Sequence, residues 1–313
     1  MNDKRNLWPQ RKAVLVSYSD SATPHIRELL RQFNWSLVGS TENYEEAFSV
    51  VEGGHAYMLL VHDSPTLPSI YVLRMFMRSP ISLVTPTILF LDDEHWHESL
   101  SLTRLPQAVG LGKPLSPARF GPIMQELLYH WESKPMVAMR NSVYQYLRTK
   151  DAKVFFSVLK KFAEIPLLAD LTSVYRANIL LQANRHAEAE RALLVRVKAG
   201  VKDLNVMFQL FDLYLRYAQP APAYKLIQGL YKMQKGSMLV EGDLFQAAFL
   251  LGHYDLAAES LKRMQDKSWL TDHIAPNLVS LYMASGLPKL AEKEFLGTKA
   301  EFHALVHAWE KEW

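Results

Sequence analysis

The chain has 313 residues, of which 49% are hydrophobic and 21% charged, and it contains no cysteine. This composition predicts a globular protein and excludes a disulfide framework, a thiolate zinc site and a cysteine nucleophile. The net charge is only +3, but residues 1–133 carry 11 Lys and Arg against 14 Asp and Glu (−3), whereas residues 134–313 carry 24 against 18 (+6).

Five short apolar segments recur in the first half, and stretches with helical spacing separate them. The segments are Ala13–Val16, Trp35–Val38, Tyr57–Val61, Thr87–Leu91 and Ala108–Leu111. Apolar runs without alternation are typical of strands buried on both faces. Strand–helix alternation predicts a doubly wound parallel α/β domain over residues 1–133, with any ligand site at the carboxyl ends of its strands.

Polar residues follow three of these segments. Asp20 comes after the first, Asp63 after the third and Lys113 after the fifth. We expect the three strand ends to lie side by side, so that two carboxylates and an ammonium group converge on one crevice. Paired carboxylates suit Mg²⁺, which needs few protein ligands, and a lysine nearby neutralises charge on a phosphoryl group.

Ser19-Asp20-Ser21-Ala22-Thr23, Asp63 and Lys113-Pro114 together resemble a response-regulator receiver domain, the flavodoxin-like fold of the chemotaxis regulators. The resemblance covers about residues 11–131. It implies that Asp63 is the phosphoacceptor, that Asp20 and Asp63 bind Mg²⁺, and that Lys113 contacts the phosphoryl group. A histidine kinase and a second receiver copy are partners that this family allows.

Three positions depart from the receiver pattern. Ser19 replaces the first residue of the usual acidic pair, Leu91 or Asp92 stands where the family has Thr or Ser, and Gly110 replaces the usual aromatic switch residue. Two interpretations therefore stay open. In the first interpretation Asp63 is phosphorylated. In the second the domain is a pseudo-receiver that is kept for its shape and its binding surface.

The sequence pattern of the second half repeats with a period of 34 residues. Four alanines mark this period: Ala189, Ala223, Ala257 and Ala291. Five residues before each alanine stands a turn residue: Asn184, Ala218, Gly252 and Gly286. Large apolar residues recur with the same period at two further positions of the repeat. The first set is Leu181, Leu215, Phe249 and Met283, and the second set is Leu193, Ile227, Leu261 and Phe295. The pattern predicts stacked helix pairs, with alanines where helices cross and large side chains in the seams.

Gly252–Ala257 and Gly286–Ala291 resemble the turn and second helix of a tetratricopeptide repeat, a family with this period. The resemblance implies an all-α helical-repeat domain over residues 134–313. Its repeats would span about 136–169 (degenerate), 170–203, 204–237, 238–271 and 272–298, followed by a capping helix at 299–313. The family's geometry further implies a concave peptide-binding face that includes Asn178, Gln182, Asp212, Arg216, Gln246 and Ser280.

These features predict a two-component-type signalling protein and not an enzyme. Input at Asp63, by phosphorylation or docking, would change how the receiver-like domain packs on the repeats, which bind a partner protein as output. A constitutive scaffold without phosphoryl chemistry is the alternative, and an RNA-associated regulator is less favoured because acids dilute the basic residues. The opposite charges of the halves also favour their docking on each other.

Neither a membrane-spanning segment nor a signal peptide is evident. No apolar run approaches the roughly 20 residues that cross a bilayer, and no apolar core follows the charged residues at the start of the sequence. We therefore expect a cytoplasmic protein without a membrane partner.

Overall fold

The structure is a computed structural model that describes residues 11–19, 21–64, 68–92, 102, 105–165, 168–200, 203–234, 237–266, 271–295 and 298–312. Its first part contains strands β1 Lys12–Val16, β2 Ser36–Thr41, β3 Met58–His62, β4 Thr87–Leu91 and β5 Ala108–Gly112. They alternate with helices α1 Ala22–Gln32, α2 Tyr44–Glu52, α3 Ser69–Phe76, a 3₁₀ helix Pro80–Val84 and α4 Pro117–Trp131.

The five strands form one parallel sheet in the order β2-β1-β3-β4-β5, which is a doubly wound order. Right-handed crossovers in this order place α1 and α4 on one face and α2 and α3 on the other. Ring contacts agree: Phe33 meets Phe120 at 5.4 Å between centroids, and Phe48 meets Phe76 at 4.8 Å. The predicted parallel sheet with alternating helices is confirmed.

Strand burial differs between the centre and the edge of the sheet. β3 and β4 are buried along their whole length, as expected for runs that helices cover on both faces. β2 was expected to be buried in the same way, and this prediction was wrong because β2 stands at the edge of the sheet that the described residues form, paired there with β1. Val38 is 41% exposed, and the buried Trp35 lies just before the strand.

After the sheet, the regular elements among the described residues are all helices. They are α5 Lys134–Thr149, α6 Ala152–Phe162, α7 Ala169–Gln182, α8 His186–Lys198, α9 Leu204–Arg216, α10 Pro220–Met233, α11 Met238–Leu250, α12 Tyr254–Asp266, α13 Thr271–Ala284, α14 Pro288–Glu294 and α15 Lys299–Glu312. The all-α character predicted for this region is confirmed. Two residues separate α4 from α5, so the junction is a short break between helices rather than one continuous helix. No described helix has the length and apolar character needed to cross a membrane.

The corners within the helix pairs share one backbone conformation. Five residues spaced by 34 adopt positive φ, between 52° and 74°: Lys150, Asn184, Ala218, Gly252 and Gly286. At the last four, the following N–H reaches back to the carbonyl five residues earlier at 2.8–3.0 Å (for example Arg185 to Leu180 and His253 to Ala248). These are Schellman caps, which end a helix by satisfying its last carbonyl groups. The period seen in the sequence is therefore a period of the backbone.

The alanines that recur every 34 residues lie at close contacts within the helix pairs. Ala189, Ala223, Ala257 and Ala291 are each fully buried, and Phe155 at the equivalent place of the first pair is 3% exposed. In one of the two sets of repeated large apolar residues, Leu193, Ile227 and Leu261 are buried as expected. In the other, Phe249 is 47% exposed, so its predicted place in a buried seam was wrong.

The described chain divides into two compact units between Leu213 and Tyr214. The first unit thus contains the sheet together with helices α5 to α8 and most of α9. Buried polar contacts join its parts. The Arg74 guanidinium donates to both carboxylate oxygens of Asp212 at 3.1 and 2.8 Å and lies 4.5 Å over the Phe208 ring.

Further polar groups continue this junction inside the first unit. The Gln107 amide donates to Asn205 Oδ1 at 2.6 Å, and both side chains are buried. The Tyr175 hydroxyl donates to the carbonyl of Pro80 at 2.7 Å. Because unpaired polar groups are costly in an interior, these matched pairs fix one arrangement of the sheet against α7 and α9.

Candidate functional site

The candidate site lies at the carboxyl edge of the sheet, where β3, β4 and β5 are followed by Asp63, Asp92 and Lys113. The strand order places β4 between β3 and β5. The expected side-by-side arrangement of strand ends one, three and five was therefore wrong for the fifth, because the end of β4 intervenes. Asp92, which follows β4, becomes part of the site.

Asp63 is 3% exposed, and its two carboxylate oxygens accept backbone hydrogen bonds. Oδ1 accepts from the N–H of Ser69 at 2.8 Å, and Oδ2 accepts from the N–H of Asp92 at 3.3 Å. Ser69 is the first residue of α3, whose opening N–H groups have no partner within the helix. Asp63 therefore joins the start of α3 to the end of β4, and a phosphoryl group on either oxygen would compete with one of these bonds.

Lys113 forms an ion pair with Asp92. The side chains of Lys113 and Asp92 are 45% and 26% exposed. The ammonium beside Asp92 offsets the negative charge that this carboxylate would present to an incoming phosphoryl group. The Lys113 contact with a phosphoryl group on Asp63 stays a prediction.

His62 is a member of this edge that the sequence reasoning missed. It ends β3, is 8% exposed, and its Nδ1 finds no hydrogen-bond partner among the described residues. Burial lowers the pKa of His62 and the Lys113 charge lowers it further, while Asp92 and Asp63 act in the opposite direction. The signal in the sequence was a titratable residue directly before Asp63, at the end of an otherwise apolar run.

The expected magnesium ligands are only partly described. Asp20 lies outside the described residues, so its role as a ligand stays a prediction. Within the described part of the chain, no group of three or more His, Asp or Glu side chains is placed to hold a metal. Each Asp63 oxygen already accepts one backbone N–H, and the binding of Mg²⁺ by Asp20 and Asp63 stays a prediction.

Packing explains the missing switch residue at Gly110. A Cβ atom built there would lie 2.7 Å from Cδ1 of Leu91 and 3.1 Å from Cδ1 of Leu102. These leucines are 1% exposed, and they occupy the volume that a larger residue at position 110 would need. A larger side chain at this place would require the leucine side chains to move.

The six residues proposed for a peptide-binding face fall into different environments. The Asp212 carboxylate is engaged by Arg74 and lies 3.8 Å from Arg78. Gln182 accepts from the Tyr146 hydroxyl, and Asn178 is half-buried. Arg216, Gln246 and Ser280 are exposed. Asp212 thus has an internal role, whereas Ser280 lies in a groove.

That groove, here termed the aromatic groove, belongs to the second compact unit and has a volume of about 920 Å³. Its walls come from α11, the start of α12, and α13, and include Phe245, Phe249, Tyr254, Ser280 and Met283. The ring centroids of Phe245 and Phe249 are 6.1 Å apart, and those of Phe249 and Tyr254 are 5.7 Å apart. A continuous run of three rings therefore lines an open groove, which the sequence reasoning did not predict.

No protein-family model and no curated protein matches this chain.

Proposed function

We propose that the protein is a protein-binding adaptor that combines a receiver-like, flavodoxin-like domain with a tetratricopeptide-like array. In this proposal the array binds a partner protein through the aromatic groove. The sheet domain serves as a fixed structural module rather than as a phosphorylated switch. The five corners at a 34-residue spacing and the strand order support the two family resemblances.

The observation that carries the proposal is the exposed aromatic surface of the groove. Phe249 is 47% exposed and the neighbouring Leu250 is 51% exposed, although large apolar side chains gain free energy when they are buried. Among the described residues of the lining none is charged, and most are aromatic, leucine, methionine and alanine side chains. Such a surface fits a peptide segment that presents apolar side chains, and aromatic anchors of this kind dominate binding energies at interfaces.

The geometry of Asp63 favours the adaptor over the phosphorylated receiver. The carboxylate is buried and supports the start of α3, and Lys113 is paired with Asp92. Phosphorylation remains the second candidate because Asp63, Asp92 and Lys113 do lie at neighbouring strand ends. In that case the modification would break a contact to Ser69 or Asp92 and thereby shift α3 or the segment after β4.

The groove is tested by affinity capture with the full chain and two variants. Phe249→Ser removes the central ring, and Tyr129→Ser removes an aromatic residue that is 88% exposed on α4. We expect wild type and Tyr129→Ser to retain the same specific partner. Phe249→Ser should bind it about 30-fold more weakly, the usual effect of truncating an aromatic hot spot. Equal retention by all three proteins would remove the groove from the proposal.

The absence of phosphoryl chemistry is tested separately by titration with Mg²⁺ and then beryllofluoride, with Asp63→Ala as the control. Backbone amide shifts are followed by NMR. We expect wild type to show no local shifts around Asp63 and Lys113. Local shifts that disappear in Asp63→Ala would establish a working phosphoacceptor and would replace the adaptor with a switched receiver.

A further inference from the structure

A second cleft lies in the first compact unit, between α6, α7 and the beginning of α8. Its volume is about 460 Å³. Its wall on α6 includes Phe156 and Lys160, and its wall on α7 includes Arg176 and Leu180. Both pairs are spaced by four residues, so each pair places a cationic and an apolar side chain on the same face of its helix. This surface is termed the basic cleft.

The charges of the basic cleft are not balanced. Arg185 donates two hydrogen bonds to the Glu188 carboxylate at 2.7 and 2.6 Å, so these two lining residues form a neutral pair. Lys160 and Arg176 are exposed, and neither forms an ion pair in the part of the chain that the structure describes. Lys160 and Arg176 therefore give the described lining of the cleft an excess of positive charge.

The cleft already holds one carboxylate, that of Glu188. The pKa of Glu188 is lowered, first by the hydrogen bond from Arg185 and further by the nearby Arg191 and Arg176. Glu188 thus shows how the cleft receives a carboxylate: the Arg185 guanidinium donates to both of its oxygens. A second carboxylate beside Lys160 and Arg176 would also find charged donors.

We propose that the basic cleft binds an acidic peptide segment of a partner protein. A glutamate or aspartate carboxylate lies between Lys160 and Arg176, and an adjacent apolar side chain of the segment packs on Phe156 and Leu180. Charge complementarity selects the acid. The cationic rim is exposed and the cleft is open, so a small molecule would keep much of its surface in water, whereas a peptide gains contacts beyond the cleft.

This inference concerns a different unit from the aromatic groove and does not depend on it. The probe is a short fluorescent peptide of alternating glutamate and leucine, and binding to the full chain is followed by fluorescence anisotropy at physiological salt. A peptide with every glutamate replaced by glutamine tests the need for charge. We expect the acidic peptide to bind and the amide peptide to bind at least tenfold more weakly.

Variants locate the binding. The double variant Lys160→Gln/Arg176→Gln should weaken the acidic peptide about tenfold, because each exposed cation contributes about two- to fivefold. The control Lys161→Gln removes an exposed lysine of α6 that does not line the cleft, and it should change affinity less than twofold. The Phe249→Ser variant should bind this peptide as wild type does.

Three results would overturn the proposal. Equal losses in Lys161→Gln and in the double variant would show a diffuse attraction to positive charge. Equal affinities for the acidic and amide peptides would show that the cations play no part. Amide shifts at the cleft with inorganic phosphate, but no binding of the acidic peptide, would assign the cleft to a small anion instead.

Discussion

Replacing Asp212 by asparagine should destabilise the first compact unit more than any other single change at its buried polar junction. Asp212→Asn removes the carboxylate that Arg74 contacts with two guanidinium nitrogens. The Arg74 side chain is 7% exposed, so water cannot replace the lost charge effectively. Arg78 also lies within 4 Å of Asp212, at 3.8 Å, so the variant leaves two guanidinium groups close together.

The magnitudes follow from burial. Removing one partner of a fully buried pair costs about 3–5 kcal/mol. Asp212 is 21% exposed, so we expect the lower end, about 3 kcal/mol, for Asp212→Asn. Arg74→Met keeps Arg78 beside the carboxylate and retains packing against Phe208, so we expect a cost of about 1–2 kcal/mol. Arg78→Met alters a side chain that is 43% exposed and should cost less than about 1 kcal/mol.

Thermal unfolding of the three variants, with circular dichroism and tryptophan fluorescence as probes, measures this order. For a unit of this size about 1 kcal/mol corresponds to about 2–4 °C, so Asp212→Asn should lower the Tm by about 6–12 °C. Hydrogen exchange should show the largest loss of protection in α3 and α9. If Arg78→Met destabilised as much as Asp212→Asn, the reasoning from burial would be refuted.

Two further predictions concern His62 and the helix corners. The folded-state pKa of His62 lies below the ordinary 6.5, so the unfolded chain binds a proton more readily than the folded protein does. The contribution of His62 to the unfolding free energy should therefore be complete above about pH 6.5 and fall below it. In urea titrations at several pH values, the unfolding free energy of His62→Gln should depend less on pH than that of wild type. Ala218 has φ of 52° and is exposed, so Ala218→Gly should raise the unfolding free energy by about 0.5–1 kcal/mol in urea titrations. The control is Ala187→Gly, at an exposed position of helix α8, and it should lower the unfolding free energy by about 1 kcal/mol. A loss of stability in Ala218→Gly would contradict the argument.

Local patterns allowed much of the fold to be predicted. All five strands lie within a few residues of the apolar segments, because short apolar runs that alternate with helical stretches are typical of the strands of a parallel α/β sheet. The corners follow from the 34-residue spacing, which predicts a turn even at Ala218, and the structure adds that each turn residue has positive φ. The edge position of β2 did not follow, because a strand's neighbours are set by the topology rather than by its own residues.

The candidate site was less predictable for the same reason. Asp63 and Lys113 were recognised as strand-end residues, but the order of the sheet decides that Asp92 stands between them. Net charge suggested that an acidic first half attracts a basic second half. The buried ion pair has the opposite polarity, with the arginine after β3 and the aspartate on α9. Summed charge describes long-range attraction, whereas a buried pair depends on individual positions.

The same helix–helix corner recurs every 34 residues, and this limits how the length of the helical region is able to change. A deletion or duplication that runs from one corner to the next removes or adds 34 residues and leaves every later helix in the same rotational phase. A change that is one residue longer or shorter rotates all later helices by about 100°, which turns their alanines away from the crossing points. Natural variation in the length of the helical region should therefore occur in whole helix pairs, with single-residue changes confined to the connections between pairs.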